Sequence, residues 1–314
     1  MILLPIIFII GILLLLKCAD LFVDGASTLA ARLGVSTAII AFTVVAFGTS
    51  LPEVVVSTEA TALGNPSLAY GNIIGSNVVN IAFVLALCSF LSAKVWNKEE
   101  RRRHIQGIIM MFVATGLFLF IAFNEAFSPI GGQILLFSFV IMLFIIWRSS
   151  QKGGAFDDPN ISIKPVKGYR DIWMTILGLL GVIIGAQMVV YSAEEIALFL
   201  GVSDFIIAVT IVAAGTSLPE LVTSVVAVMK GKFAISAGNI LGTNMFNVLV
   251  VGGASALISP ISVPNSFDLV LLAAFTLAVL PFLTGREIIT RAWGGVLMIG
   301  YVFYVLYYAG VLGM

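Results

Sequence analysis

The chain has 314 residues, 60% of them hydrophobic and only 10% charged, with a net charge of zero and a mean hydropathy of +1.14. Soluble domains carry about 25% charged residues, so this chain cannot clothe a water-facing surface and is expected to be an all-α integral membrane protein. The balance of 16 basic and 16 acidic residues offers no field for nucleic acid, and Cys18 and Cys88 make neither a disulfide framework nor a metal cluster.

Runs of about 20 apolar residues, each long enough to cross a bilayer as helix, predict spans over 2–31, 36–62, 67–92, 105–124 and 128–148. No basic residue precedes the first run and no small-residue cleavage site follows it, so it reads as a retained span. The polar stretch 149–170 comes next, and a second set of five spans is predicted over 171–199, 204–229, 233–258, 266–284 and 289–312. This divides the chain into a first half (1–148), a cytoplasmic linker (149–170) too short for a domain, and a second half (171–314). Lys94, Lys98, Arg101, Arg102 and Arg103 follow the third span, and Arg148, Lys152, Lys164, Lys167 and Arg170 mark the linker. The positive-inside rule makes both segments cytoplasmic. Arg32, Lys230, Lys232, Arg286 and Arg291 fall on the same side, with Lys17 the exception. Both termini are then expected outside the cell membrane, and the short connections suggest a monomer in the lipid bilayer.

The strongest pattern is a repeat. Residues 33–80 align without a gap on residues 200–247 at an offset of 167, with about half the positions identical. Gly48-Thr49-Ser50-Leu51-Pro52-Glu53 recurs as Gly215-Thr216-Ser217-Leu218-Pro219-Glu220. The segment Gly71-Asn72-Ile73-Ile74-Gly75-Ser76-Asn77 returns as Gly238-Asn239-Ile240-Leu241-Gly242-Thr243-Asn244, and Asn80 as Asn247. An odd number of spans separates the copies, so they enter the membrane from opposite sides. The expected architecture is ten transmembrane helices in two inverted five-helix repeats, with a site where the halves meet near the midplane.

Glu53 and Glu220 are acids inside apolar spans, which is costly and marks function. Each follows a proline that cannot donate to the carbonyl four residues back, so the oxygens of Gly48 and Gly215 are freed. Helical spacing puts Ser50 with Glu53, Ser217 with Glu220, Ser76 with Asn80, and Thr243 with Asn247 on shared faces. Folded together, the copies form a cage of carboxylate, hydroxyl, amide and main-chain oxygens. Such a cage suits Ca²⁺, which takes 6–8 oxygen ligands, and Na⁺. It lacks the sulfur and imidazole that zinc or copper favours. Two ionised carboxylates are neutralised by one Ca²⁺ or by two Na⁺, so the ions compete for one place, which is the basis of exchange. A third Na⁺ on neutral oxygens would make the cycle electrogenic.

These paired motifs resemble the α-repeats of the calcium/cation antiporter superfamily, closest to its prokaryotic sodium/calcium exchangers. The resemblance implies a ten-helix fold, Na⁺-driven Ca²⁺ transport by alternating access, and no enzymatic activity. It implies no cofactor beyond the transported ions, and the short central linker is expected to leave no room for the large calcium-sensing domain of animal exchangers. The implied ion ligands are Thr49, Ser50, Glu53 and the main chain of Ala46 from the second span, and Ser76 and Asn80 from the third. From the seventh come Thr216, Ser217, Glu220 and the main chain of Ala213, and from the eighth Thr243 and Asn247. The amide of Asn247, where several relatives carry Asp, resembles the potassium-independent branch. Proton/Ca²⁺ exchange is the alternative, although Gly75 and Gly242 stand where proton-coupled relatives usually carry an acid. A passive cation channel is a further alternative.

The remaining polar residues carry blander expectations. Asn72, Asn77, Asn239 and Asn244 are expected to bond broken-helix backbone. Asp20 is expected to pair with Lys17, Asp24 to sit near the inner interface, and Glu59 to be a surface or pathway residue. Glu194 and Glu195 are expected to end a helix at the membrane border, and His104 to be solvated. Trp96, Trp147, Trp173, Tyr301, Tyr304, Tyr307 and Tyr308 read as interface anchors.

Overall fold

The computed structural model describes residues 3–91, 98–124, 127–150, 169–201, 215–261, 263, 266–284 and 287–308. The linker residues 151–168, Lys94 and Trp96, and the first part of the seventh expected span with Ala213 lie outside this set. Among the described residues all regular structure is helical. Six helices are long and apolar enough to cross a bilayer, and a bent pair would make a seventh span.

In chain order, α1 is Leu3–Leu33, and α2 (Thr37–Thr49) bends by 43° into α3 (Leu51–Ala62). Then follow α4 (Pro66–Leu91), α5 (Lys98–Phe123), α6 (Pro129–Ser150) and α7 (Arg170–Phe199). The rest are α8 (Leu218–Met229), α9 (Phe233–Ile258), α10 (Ser266–Leu277) and α11 (Glu287–Tyr308). The sequence repeat is thus a structural repeat. Helix α3 ends 167 residues before α8, and α4 begins 167 residues before α9. The turns between them match too: Gly64 and Gly231 both adopt positive φ, at 85° and 70°, where only glycine is unstrained.

Burial decides the layering. The most apolar stretches of α4 and α9 are 78% and 83% buried, whereas those of α1 and α6 are 28% buried. The repeat helices therefore form the interior, and α1, α6 and α7 present rows of exposed large apolar side chains such as Ile6, Ile9, Leu13, Phe137 and Ile184. Such a surface is stable against lipid and not against water.

Helices α1 and α7, which are also equivalent at the 167 offset, pack antiparallel. Gly11 meets Met188 and Val189, Gly181 meets Cys18, Gly178 meets Phe22, and Gly25 meets Met174 and Thr175. A Cβ on Gly178 would lie 2.6 Å from the Phe22 amide nitrogen, so small residues are what let these backbones touch. Arg32 at the end of α1 then meets Asp171 at the start of α7, at 2.8 Å.

A candidate ion site at two mirrored helix breaks

The sequence Gly-Thr-Ser-Leu-Pro-Glu breaks the helix at the same point in both copies. Ser50 (φ −84°, ψ 4°) and Ser217 (φ −89°, ψ 6°) leave the helical region, and a new helix starts at the next residue. Pro52 and Pro219 fall in the first turns of α3 and α8, where a missing N–H costs nothing. Glu53 and Glu220 occupy the same turns, at the positive end of the helix dipole, which favours a carboxylate. Both serines stand where a hydroxyl normally caps the helix, yet neither does so. The Ser50 hydroxyl donates instead across the repeat to Glu220 Oε1 at 3.4 Å.

Gly48 and Gly215 have a role beyond loosening the helix. A Cβ on Gly48 would lie 2.6 Å from the Leu179 side chain, and one on Gly215 would lie 2.5 Å from Val190. Both breaks therefore press against α7.

The copies also grip each other reciprocally. Thr49 Oγ1 lies 3.2 Å from Asn239 Oδ1, and Thr216 Oγ1 lies 3.4 Å from Asn72 Oδ1. The Asn72 amide donates to Ser57 at 2.9 Å, and the Asn239 amide to Ser224 at 3.0 Å. Ser57 and Ser224 are identical residues at the same offset, so repeat alignment alone could have singled them out. Asn77 and Asn244 donate to the carbonyls of Ile73 and Ile240, both at 2.7 Å. The expectation of backbone bonding thus describes these two, whereas Asn72 and Asn239 chiefly join side chains and tie the copies together.

The side chains of Thr49, Ser50, Glu53, Ser76, Asn80, Ser217, Glu220, Thr243 and Asn247 are all buried, and Thr216 is partly exposed. Glu53 and Glu220 are 1% and 0% exposed and lie within electrostatic reach of each other. The buried Ala46 carbonyl accepts the Ser50 N–H at 3.1 Å and has the Thr49 hydroxyl at 3.4 Å. Fifteen buried side-chain polar atoms of the described residues have no hydrogen-bond partner, and ten of them belong to Glu53, Ser76, Asn80, Ser217, Glu220, Thr243 and Asn247. Buried polar atoms are almost always paired, so this concentration marks atoms oriented for something other than the protein. Asn80 and Asn247 each open a π-helical segment, Asn80–Leu85 and Asn247–Val251. Such irregular turns recur at functional sites, and sequence periodicity did not reveal them. Among the described residues no group of three or more His, Cys, Asp or Glu could hold a resident metal.

The sodium/calcium exchanger protein family matches residues 3–148 and 171–310. The chain belongs to this family. The sodium/calcium exchanger MaX1 of Methanosarcina acetivorans is 31% identical over 343 residues, covering 96% of each chain. The inner membrane protein YrbG of Escherichia coli K12 is 35% identical over 259 residues, covering 80% of this chain and 79% of YrbG. The solved structure of the sodium-calcium exchanger NCX_Mj soaked with 10 mM Na⁺ and zero Ca²⁺ superposes with a TM-score of 0.82 at 29% identity over the full length of both chains. The protein is therefore a multi-pass membrane transporter that exchanges cations with Ca²⁺, and not an enzyme.

On one flank of the exchanger's site, a cavity of about 290 Å³ is lined by Pro52 and Val56, by Gly215, Thr216 and Pro219, and by the α7 residues Gln187, Tyr191 and Glu194 among others. Helix α7 ends at Phe199, the bound expected for this span and about one turn beyond Glu194 and Glu195, and Glu194 lines the cavity. On the α1 side, ion pairs join α1 to the turn between α8 and α9. Asp20 pairs with Lys230 at 2.7 Å rather than with Lys17, and Asp24 lies 2.8 Å from Lys230 and 2.6 Å from Lys232. Partial burial would lower the Lys230 ammonium, but Asp20 and Asp24 outweigh that and raise it above the ordinary lysine value. Glu59 is exposed. The α11 tyrosines do more than anchor an interface: Tyr304 packs on Tyr301 and Tyr308, and Tyr308 donates to Asp268 of α10.

Proposed function

We propose that this exchanger is a Na⁺/Ca²⁺ antiporter working by alternating access, electrogenic and independent of K⁺. The single observation that carries the reading is the group of ten unpartnered buried atoms, three of them oxygens of Glu53 and Glu220 and seven from Ser76, Asn80, Ser217, Thr243 and Asn247. Hard cations without a preference for sulfur or imidazole match that donor set. The proposed ligands are the side chains of Thr49, Ser50, Glu53, Ser76, Asn80, Thr216, Ser217, Glu220, Thr243 and Asn247, with the carbonyls of Ala46 and Ala213. The Ala46 oxygen retains a lone pair beside the Ser50 N–H. No cofactor is needed, because the bound cations are the cargo.

The proposed architecture is ten spans in two inverted halves, 1–148 and 171–314, joined by a cytoplasmic linker at 149–170, with both termini outside and the protein acting as a monomer. The antiparallel packing of the equivalent helices α1 and α7, the reciprocal Thr–Asn contacts and the 167-residue offset of helices and turns support it. A −2 site takes one Ca²⁺ or two Na⁺, and the surplus of neutral oxygens accommodates a third Na⁺, which moves one net charge per cycle. The test is ⁴⁵Ca²⁺ uptake into proteoliposomes with Na⁺, K⁺ and pH varied independently. Uptake requiring an outward Na⁺ gradient, stimulated by a compensating membrane potential and indifferent to K⁺, is expected. Uptake driven by a pH gradient without Na⁺ would overturn the reading in favour of proton exchange.

A further inference from the structure

The cavity beside α7 is lined almost wholly by residues outside the proposed ligand set, Thr216 excepted. Gln187, Tyr191 and Glu194 are spaced i, i+4 and i+7, which aligns them on one helix face. The opposite wall is made of the two broken helices, Pro52 on one side and Gly215, Thr216 and Pro219 on the other. Thr216 is the partly exposed member of the break hydroxyls, whereas Thr49, Ser50 and Ser217 are buried. The cavity therefore meets the site at Thr216. At about 30 Å³ per water, its volume of about 290 Å³ holds roughly ten waters, so a cation can enter with its hydration shell. Glu194 is the only carboxylate among the lining residues, and among the described residues no cation pairs with it.

We infer that Glu194 draws cations into this cavity and delivers them to the Thr216 corner of the ion site. A cleft of one charge sign with low-dielectric walls concentrates counter-ions and raises their capture rate by about 10–10³. The inference rests on the exchange reading and adds an electrostatic step before binding. Glu194 is thus a positioning residue that acts on ion capture, with Glu53 and Glu220 keeping the ion afterwards.

The experiment is Na⁺-driven ⁴⁵Ca²⁺ uptake in proteoliposomes of the full chain, with wild type, Glu194→Gln, Glu194→Asp and Glu195→Gln compared at low and high ionic strength. The Debye length falls from about 30 Å at 0.01 M to about 3 Å at 1 M, so a steering charge is felt only in the first condition. Glu194→Gln is expected to raise the half-saturating Ca²⁺ concentration about three- to tenfold at 0.01 M and less than about twofold at 1 M. The saturated rate should stay unchanged. Glu194→Asp should restore the wild-type value, and Glu195→Gln, on the exposed side of the same turn, should match wild type. An unchanged half-saturation in Glu194→Gln at low salt, an equal change at both salts, or the same change in Glu195→Gln would overturn the inference while leaving exchange intact. Absence of Na⁺-driven uptake in wild type would overturn the exchange reading itself.

Discussion

The centre of the exchanger and its flanks follow different symmetries. At the centre the two copies match in kind: Ser50 and Ser217 break their helices with the same dihedrals, Glu53 and Glu220 start the next turns, and Thr49–Asn239 answers Thr216–Asn72. At the flanks the correspondence ends. Gln187, Tyr191 and Glu194 line a cavity, whereas 167 positions earlier stand Asp20 and Asp24, which pair with Lys230 and Lys232, and Ser27. The Ser27 hydroxyl is buried without a partner, as is that of Thr223, the equivalent of the cavity residue Val56. At 1.5 Å per residue, and with α1 and α7 antiparallel, Glu194 and Asp24 lie about 27 Å apart along the helix axis. The cavity at Glu194 and the ion pairs at Asp24 therefore lie toward opposite ends of the α1–α7 pair.

The largest expected effect tests the symmetric centre. Glu53→Gln and Glu220→Gln should each reduce exchange by more than about 100-fold, since losing one charged partner of a buried ion costs about 3–5 kcal/mol. Flux assays showing one variant near wild type would break the equivalence of the copies. Asn247→Asp and Asn80→Asp come next. A third carboxylate beside two others must release its proton before ions enter, so the pH dependence of uptake should move to higher pH, similarly for both. A shift for only one would locate an asymmetry inside the cage.

Smaller effects follow from the cross-copy grip. Thr49→Val leaves buried Asn239 short of a donor and should cost about 1–3 kcal/mol of stability, read as a lower melting temperature in detergent. Thr216→Val, at a partly exposed position, should cost less. The smallest effect belongs to the ion pairs on α1. Exposed ion pairs contribute about 0.2–1 kcal/mol each, so Lys230→Met with Lys232→Met should weaken this contact by about 1 kcal/mol. Maleimide labelling of Ser27→Cys, in a chain without its native cysteines, should then accelerate about fivefold, while labelling of Glu194→Cys stays unchanged. The Lys230 contribution is fully present at neutral pH and weakens as pH rises through the raised Lys230 value.

Hydropathy, the 167-residue offset and the paired Gly-Thr-Ser-Leu-Pro-Glu motifs were enough to read a helical membrane protein with two mirrored acids, because span length and helix breaking are local properties of the chain. Helix breaking at Ser50 and Ser217 is likewise local. Local rules could not say that Ser50 reaches Glu220, that Asn72 and Asn239 bind the copies together, or that Asp20 prefers Lys230 to the nearby Lys17. Those partners are 144 to 210 residues apart, and only folding decides which distant groups meet. The same holds for the cavity beside α7 and the ion pairs on α1. Repeat segments identical at about half their positions carry no record of that difference, which depends on how α1 and α7 dock against the two copies.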